Sequence, residues 1–173
     1  ENHSVNNIFD NGAVFPLIDI PQGSGATQRD GNAVFAHNLY IHSRISGDGA
    51  ASAFQRVRIV IARFVGENGT TPPLSELMDS VTPDVNQFKS WDNRRNFKVL
   101  RDMYHEVQPA SAGIGSPSAF IKMKIPIKAK TFYADASTAV MSGGIYMFIW
   151  SNQPAAGLVG PSINGYTRIT FTE

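Results

Sequence analysis

The chain has 173 residues, 42 % hydrophobic and 17 % charged, with no cysteine. That length suits one domain; the missing thiols exclude disulfides, thiolate nucleophiles and cysteine-ligated zinc, and no apolar run approaches the ~18–20 residues of a membrane-spanning helix. The net charge is only +1, yet residues 1–30 set Glu1, Asp10, Asp19 and Asp30 against Arg29, a net of −3, while residues 86–130 set nine basic residues against Asp92, Asp102 and Glu106, a net of +6. Positive charge gathered in one stretch points to a polyanionic partner.

Fifteen glycines and ten prolines mark many turns. Residues 1–30 are polar and irregular, with Pro16, Pro21 and Gly-Ser-Gly at 23–25, and read as an N-terminal arm or lead-in. Its inner part, AVFPLIDI at 13–20, is apolar enough to pack. Residues 31–173 read as the folded domain. Side chains alternate along a strand, so 34–45 puts Phe35, Leu39, Ile41 and Ile45 on one face and Tyr40, His42 and Arg44 on the other. In 55–65, Val57, Ile59, Ile61 and Val65 alternate with Arg56, Arg58, Val60 and Phe64. Residues 73–81 form the one predicted short helix, with Pro72 and Pro73 at its start and Ser75 as the expected cap. A long loop spans 82–96.

A strand at 97–107 places Phe97, Val99, Met103 and Val107 on one side. The clearest alternation follows at 120–131, FIKMKIPIKAKT, with Ile121, Met123, Ile125, Ile127 and Ala129 opposite Lys122, Lys124, Lys128 and Lys130. Pro126 cannot donate a ladder bond, which calls for an edge or a bulge. Residues 144–151, GIYMFIWS, are apolar on both faces and predict a central strand covered on both sides. YTRITFTE at 166–173 alternates again.

Strands that follow one another without helices between them exclude a parallel βαβ sheet. Long connections at 82–96, 108–118 and 153–165 favour Greek-key crossings. The predicted fold is all-β: a single eight-stranded antiparallel jelly roll, a β-sandwich with one short helix in a loop.

The lysine stripe is the sharpest chemical feature. Lys122, Lys124, Lys128 and Lys130 turned to one side are candidate phosphate contacts, with Arg56 and Arg58 as further candidates. A solvated face that discourages edge pairing gives the same pattern. The four histidines are scattered, so no metal site is expected. Neither GxSxG nor a P-loop ending in Gly-Lys-Ser/Thr occurs. No cofactor and no enzymatic activity are expected.

Three stretches carry a resemblance. They are GSGATQRDGNAVFAHNLYIHSRI at 23–45, FVGENGTTPPLSELMDS at 64–80 and DNRRNFKVLRDMYHEV at 92–107, followed by GGIYMFIWS and TRITFTE. In this order they resemble capsid proteins of small circular single-stranded DNA viruses that encode a replication initiator, and those of the satellite tobacco necrosis virus type. The likeness covers roughly 20–173. It implies a jelly roll that self-assembles into a T=1 icosahedral shell of about 60 identical subunits. The shell would enclose a single-stranded genome, DNA fitting the likeness better than RNA, in a virion assembled in the host nucleus or cytoplasm, with no membrane partner. Such proteins carry an Arg/Lys-rich inward arm, and residues 1–30 depart from that pattern. The resemblance also makes the 82–96 loop a subunit contact. Phe88, Trp91, Arg94, Arg95, Lys98, Leu158 and Val159 are the candidate interface residues, although Arg94, Arg95 and Lys98 beside Trp91 and Phe97 would equally suit nucleic acid. A secreted jelly-roll module binding carbohydrate or a receptor, lectin- or cytokine-like, is the alternative reading.

Overall fold

The strands pair like the two arms of one long hairpin folded over itself. In the computed structural model, residues 2–25, 27–47, 54–66, 70–108, 118–135, 137–154 and 160–173 are described. They form β1 (Asn2–Val5), β2 (Ala13–Pro16), β3 (Ala33–Ser46), β4 (Gln55–Phe64), α1 (Leu74–Met78), β5 (Phe97–Val107), β6 (Ser118–Tyr133), β7 (Val140–Ser142), β8 (Ile145–Ser151) and β9 (Ser162–Thr172). One sheet has the order β1-β9-β3-β6-β7, the other β2-β8-β4-β5. Every pairing is antiparallel. Setting aside the short β7, first pairs with last, second with next to last, and so inward to β4 with β5. Folding that hairpin into two layers makes the jelly roll, with nine strands among the described residues rather than the expected eight, the short β7 being added at one sheet edge.

Residues 1–30 therefore do not stand outside the sandwich as a lead-in. They supply one strand to each sheet, β1 beside β9 and β2 beside β8. The chain between β2 and β3 is fastened by Arg29. Its fully buried guanidinium donates to the carbonyls of Ile20, Gly31 and Ser137 and lies 4.3 Å from the Tyr133 ring centroid. Buried polar groups of this kind persist because their donors are met.

Between the sheets lies an aliphatic core of Leu39, Ile41 and Ile45 from β3, Ile59 and Ile61 from β4, Ile121 and Ile125 from β6, and Ile145 and Ile149 from β8. A second core covers the far face of the four-stranded sheet. There Val60, Phe64, Tyr146, Phe148 and Trp150 meet Leu74, Leu77 and Met78 of α1, and Val85 beyond it. Every residue of β8 is consequently buried, its odd positions in one core and its even positions in the other. This matches the doubly apolar sequence of 144–151.

Helix α1 is preceded by Pro73 at its N-cap, whose missing N–H removes one orphan donor. Ser75 sits inside the helix rather than capping it, and its carbonyl accepts from the Asp79 N–H at 2.9 Å. A 3-10 turn at Asn93–Arg95 leads into β5.

Two bulges reset the alternation. The β3 register shifts between Ala36 and Asn38, so Phe35 lies outward rather than with Leu39 and Ile41. Across from it, Lys128 of β6 takes φ of 49°, a left-handed conformation costly for a residue with a Cβ. The β4–β5 register shifts between Ile61 and Ala62. Phe97 and Val99 thus join the second core, while Met103 and Val107 join the first.

Candidate functional site

The outward face of the five-stranded sheet is built by three neighbours, β9, β3 and β6. Alternation sends Tyr40, His42 and Arg44 outward from β3, Lys122 and Lys124 from β6, and Tyr166 and Arg168 from β9. Register then lines them into rows across the sheet. Tyr166, His42 and Lys122 form one row, Arg168, Tyr40 and Lys124 the next, and Asn164, Arg44 and Phe120 a third. Lys128 and Lys130 follow beyond the bulge, Lys130 opposite Phe35. All four sequence-predicted lysines are exposed here.

No aspartate or glutamate occurs in any of the five strands. The nearest along the chain stand past the strand ends. Glu173 accepts from the Asp30 N–H at 2.6 Å, and Asp135 accepts from the Asn32 amide. The cations lean on rings instead. Lys124 lies 5.6 Å from the Tyr40 centroid, Lys130 5.1 Å from Phe132, and Arg44 5.8 Å from Phe120.

Arg56 and Arg58, grouped with the lysines by sequence, belong to the other sheet. Arg58 is 3 % exposed and engages both carboxylate oxygens of Asp102 at 2.9 Å. It also donates to the Val85 carbonyl at 3.0 Å and lies between the Trp150 and Tyr104 rings. Lys89 reaches the same carboxylate at 2.7 Å. Burial works to raise the Asp102 pKa, but the hydrogen bonds and charges of Arg58 and Lys89 outweigh it and hold the group below its ordinary value. Arg56 pairs with Glu106 and with the Asn86 amide oxygen. Both guanidiniums make bonds within the molecule, but the loop after α1 closes over Arg58 alone and leaves Arg56 partly in water.

That loop is pinned to α1 and its C-terminus. The Ser90 hydroxyl donates to Asp79 at 2.7 Å, the Ser90 N–H to the Leu77 carbonyl at 2.8 Å, and the Gln87 amide to the Met78 carbonyl at 2.7 Å. From this fixed frame Phe88 is 92 % exposed, Trp91 74 % and Val81 71 %. Arg94 stacks on Trp91 at 3.4 Å from its centroid, and Arg95 and Lys98 are exposed nearby in sequence. Leu158 and Val159 lie outside the described residues.

The sequence-predicted residues thus fall on two surfaces: the lysines on the five-stranded sheet, the aromatic loop on the cover of the four-stranded one. Reading single strands missed Arg168, Tyr166 and Phe120 as companions of the lysines. The lack of acid in all five segments was the available signal.

The histidines do not converge. His3 is buried, with Nε2 2.7 Å from the Ser43 hydroxyl, and His37 meets Thr172 at 3.0 Å. Among the described residues no group of three His, Cys, Asp or Glu is placed to hold a metal ion, and no helix is long and apolar enough to cross a membrane. The sequence matches no known family model and no curated protein.

Proposed function

We propose that this protein is the subunit of a small closed shell, a viral capsid enclosing a single-stranded genome. The observation that carries the reading is the pinned loop that holds Phe88 and Trp91 in water. Exposed large apolar side chains on a fixed frame mark protein contacts, and aromatic and arginine side chains concentrate binding energy at interfaces. The jelly roll and the ordered resemblance to single-stranded DNA virus capsids supply the partner, namely further copies of the chain. A shell needs only modest individual contacts, because each subunit is held by several neighbours once the surface closes. Trp91 with Arg94 stacked on it, Arg95 and Lys98 are the interface side chains, and a virion is the setting.

The test is negative-stain microscopy and size-exclusion chromatography of the purified chain across pH and salt. Uniform closed particles of tens of subunits are expected. A species no larger than a trimer under every condition overturns the reading, and specific retention on immobilised glycans by such a species would favour the secreted binding module.

A further inference from the structure

We infer that the outward face of the five-stranded sheet binds single-stranded nucleic acid without regard to sequence, its phosphates held by Arg44, Arg168, Lys122 and Lys124 and its bases stacked on Tyr166 and Phe120. The inference rests on the shell reading for its setting, a genome lying against this sheet, but not for the binding itself.

Charge is the first argument. Six basic side chains, Arg44, Arg168 and the four lysines, share a face whose strands contain no acid. A surface that serves solubility alone intersperses both signs. Among the described residues the ion pairs are Arg56–Glu106, Arg58–Asp102 and Lys89–Asp102, all on the other sheet or its cover. Among the described residues the cations of this face have no carboxylate partner, so they are open to an anionic one.

The rings choose the kind of anion. Tyr166 is 67 % and Phe120 76 % exposed; Phe120 stands beside Arg44 in its cross-strand row, and Tyr166 is the outward neighbour of Arg168 along β9. Alternating aromatic and basic groups is the arrangement that stacks unpaired bases while holding the backbone. A duplex hides its base faces from such rings. Two adjoining hollows of about 430 and 600 Å³ flank the Tyr166–His42 wall that they share, within the size range of small-ligand sites. Outward side chains recur every ~6.8 Å along a strand, with strands ~4.8 Å apart, a grid that an extended, flexible polynucleotide can follow.

The experiment uses subunits kept dissociated, so that binding and assembly fail separately. Fluorescence anisotropy is recorded with labelled oligothymidylate and with a duplex of equal length over a salt series. Single strands are expected to bind more tightly than duplex. Four phosphate contacts predict a log–log salt slope of about −3, from roughly −0.7 per contact. Lys122→Glu with Lys124→Glu should weaken binding at least about tenfold and flatten the slope by about 1.4. Tyr166→Ala should weaken it about fivefold or more with the slope unchanged, since a stacked base and not a phosphate is lost. Arg101→Glu, exposed on the other sheet, should leave binding unchanged, and melting temperatures confirm that each variant folds. Duplex bound as tightly as single strand, indifference to the face substitutions, or tighter binding to phosphatidylserine vesicles or a polyglutamate peptide overturns the inference. Oligonucleotide binding of the expected pattern by a chain that never forms shells overturns the shell reading alone. Shells without such binding overturn this inference alone.

Discussion

His3 on β1 reaches across β9 to the hydroxyl of Ser43 on β3, with Nε2 2.7 Å from Oγ. The strand between them offers Gly165, which pairs with His3 on one side and Ser43 on the other. A Cβ there would sit 2.4 Å from the Ser43 hydroxyl and 2.5 Å from the His42 carbonyl. The bridge exists because position 165 has no side chain. Gly165→Ala is expected to cost about 1–3 kcal/mol by overpacking and to unfasten β1. Urea denaturation reads the first effect, and faster hydrogen exchange at the amides of 2–5 reads the second. Unchanged exchange would mean that β1 is held by its backbone ladder alone.

The Arg58–Asp102 pair predicts an asymmetry. Asp102→Ala strands an almost fully buried guanidinium and should cost about 3 kcal/mol in chemical denaturation. Replacing both partners, Arg58→Met with Asp102→Leu, should recover much of that loss, since an apolar pair carries no desolvation penalty. Arg56→Ala removes an exposed pair and should cost no more than about 1 kcal/mol. Equal costs for Asp102→Ala and Arg56→Ala would contradict the burial argument.

Acid should destabilise the fold in two stages. Burial lowers the pKa of His105, and burial followed by the nearby chain N-terminus lowers that of His3, both from 6.5. As pH falls through 6.5 the unfolded chain takes up protons that the fold refuses, so stability declines from about pH 7 downward. Asp102 is held below 3.8 in the fold, so its contribution is kept above that value and lost as pH falls below it. Melting temperatures from pH 8 to 3 should show both declines, and His105→Leu should shrink the first. A protein more stable at pH 5 than at pH 7 would refute the assignment.

Phe88→Ala and Trp91→Ala separate folding from assembly. Both side chains are largely in water, so each substitution should move stability by no more than about 0.5 kcal/mol. Particle yield, by contrast, should fall sharply. Trp150→Ala makes the opposite case. Its side chain is fully buried beneath the cover of the four-stranded sheet, so its loss should cost about 3–5 kcal/mol. Full particle yield from Phe88→Ala and Trp91→Ala together would remove this loop from the shell contacts.

How far the sequence is legible depends on the distance over which its signal acts. β8 and β6 were plain, because a run apolar on both faces or strictly alternating records its own burial. Pro126 marks the bulge on β6, where it faces Asn38, but nothing in β3 itself shows that the register shift turns Phe35 away from Leu39 and Ile41. The second bulge, at Ile61–Ala62, parts Phe97 and Val99 from Met103, and no proline in β4 or β5 marks it. β1 and β2 are four residues each, too short for alternation to stand out from a polar stretch. Arg58 alternated as a solvated residue would, and only the fold reveals the loop that closes over it. On the basic face the lysines were legible singly. Their juxtaposition with Arg168 and Tyr166 depends on β3 lying between β6 and β9, strands far apart in sequence.

One sheet face carries six of the fifteen basic residues and its strands no acid, which leaves nine against fourteen, or −5, for the rest of the chain. A nearly neutral subunit therefore presents one strongly positive face. In dilute salt it turns in the field of a neighbour or a polyanion before contact, so its approach is oriented rather than random. A cation exchanger should retain it by that face more firmly than a net charge of +1 would foretell.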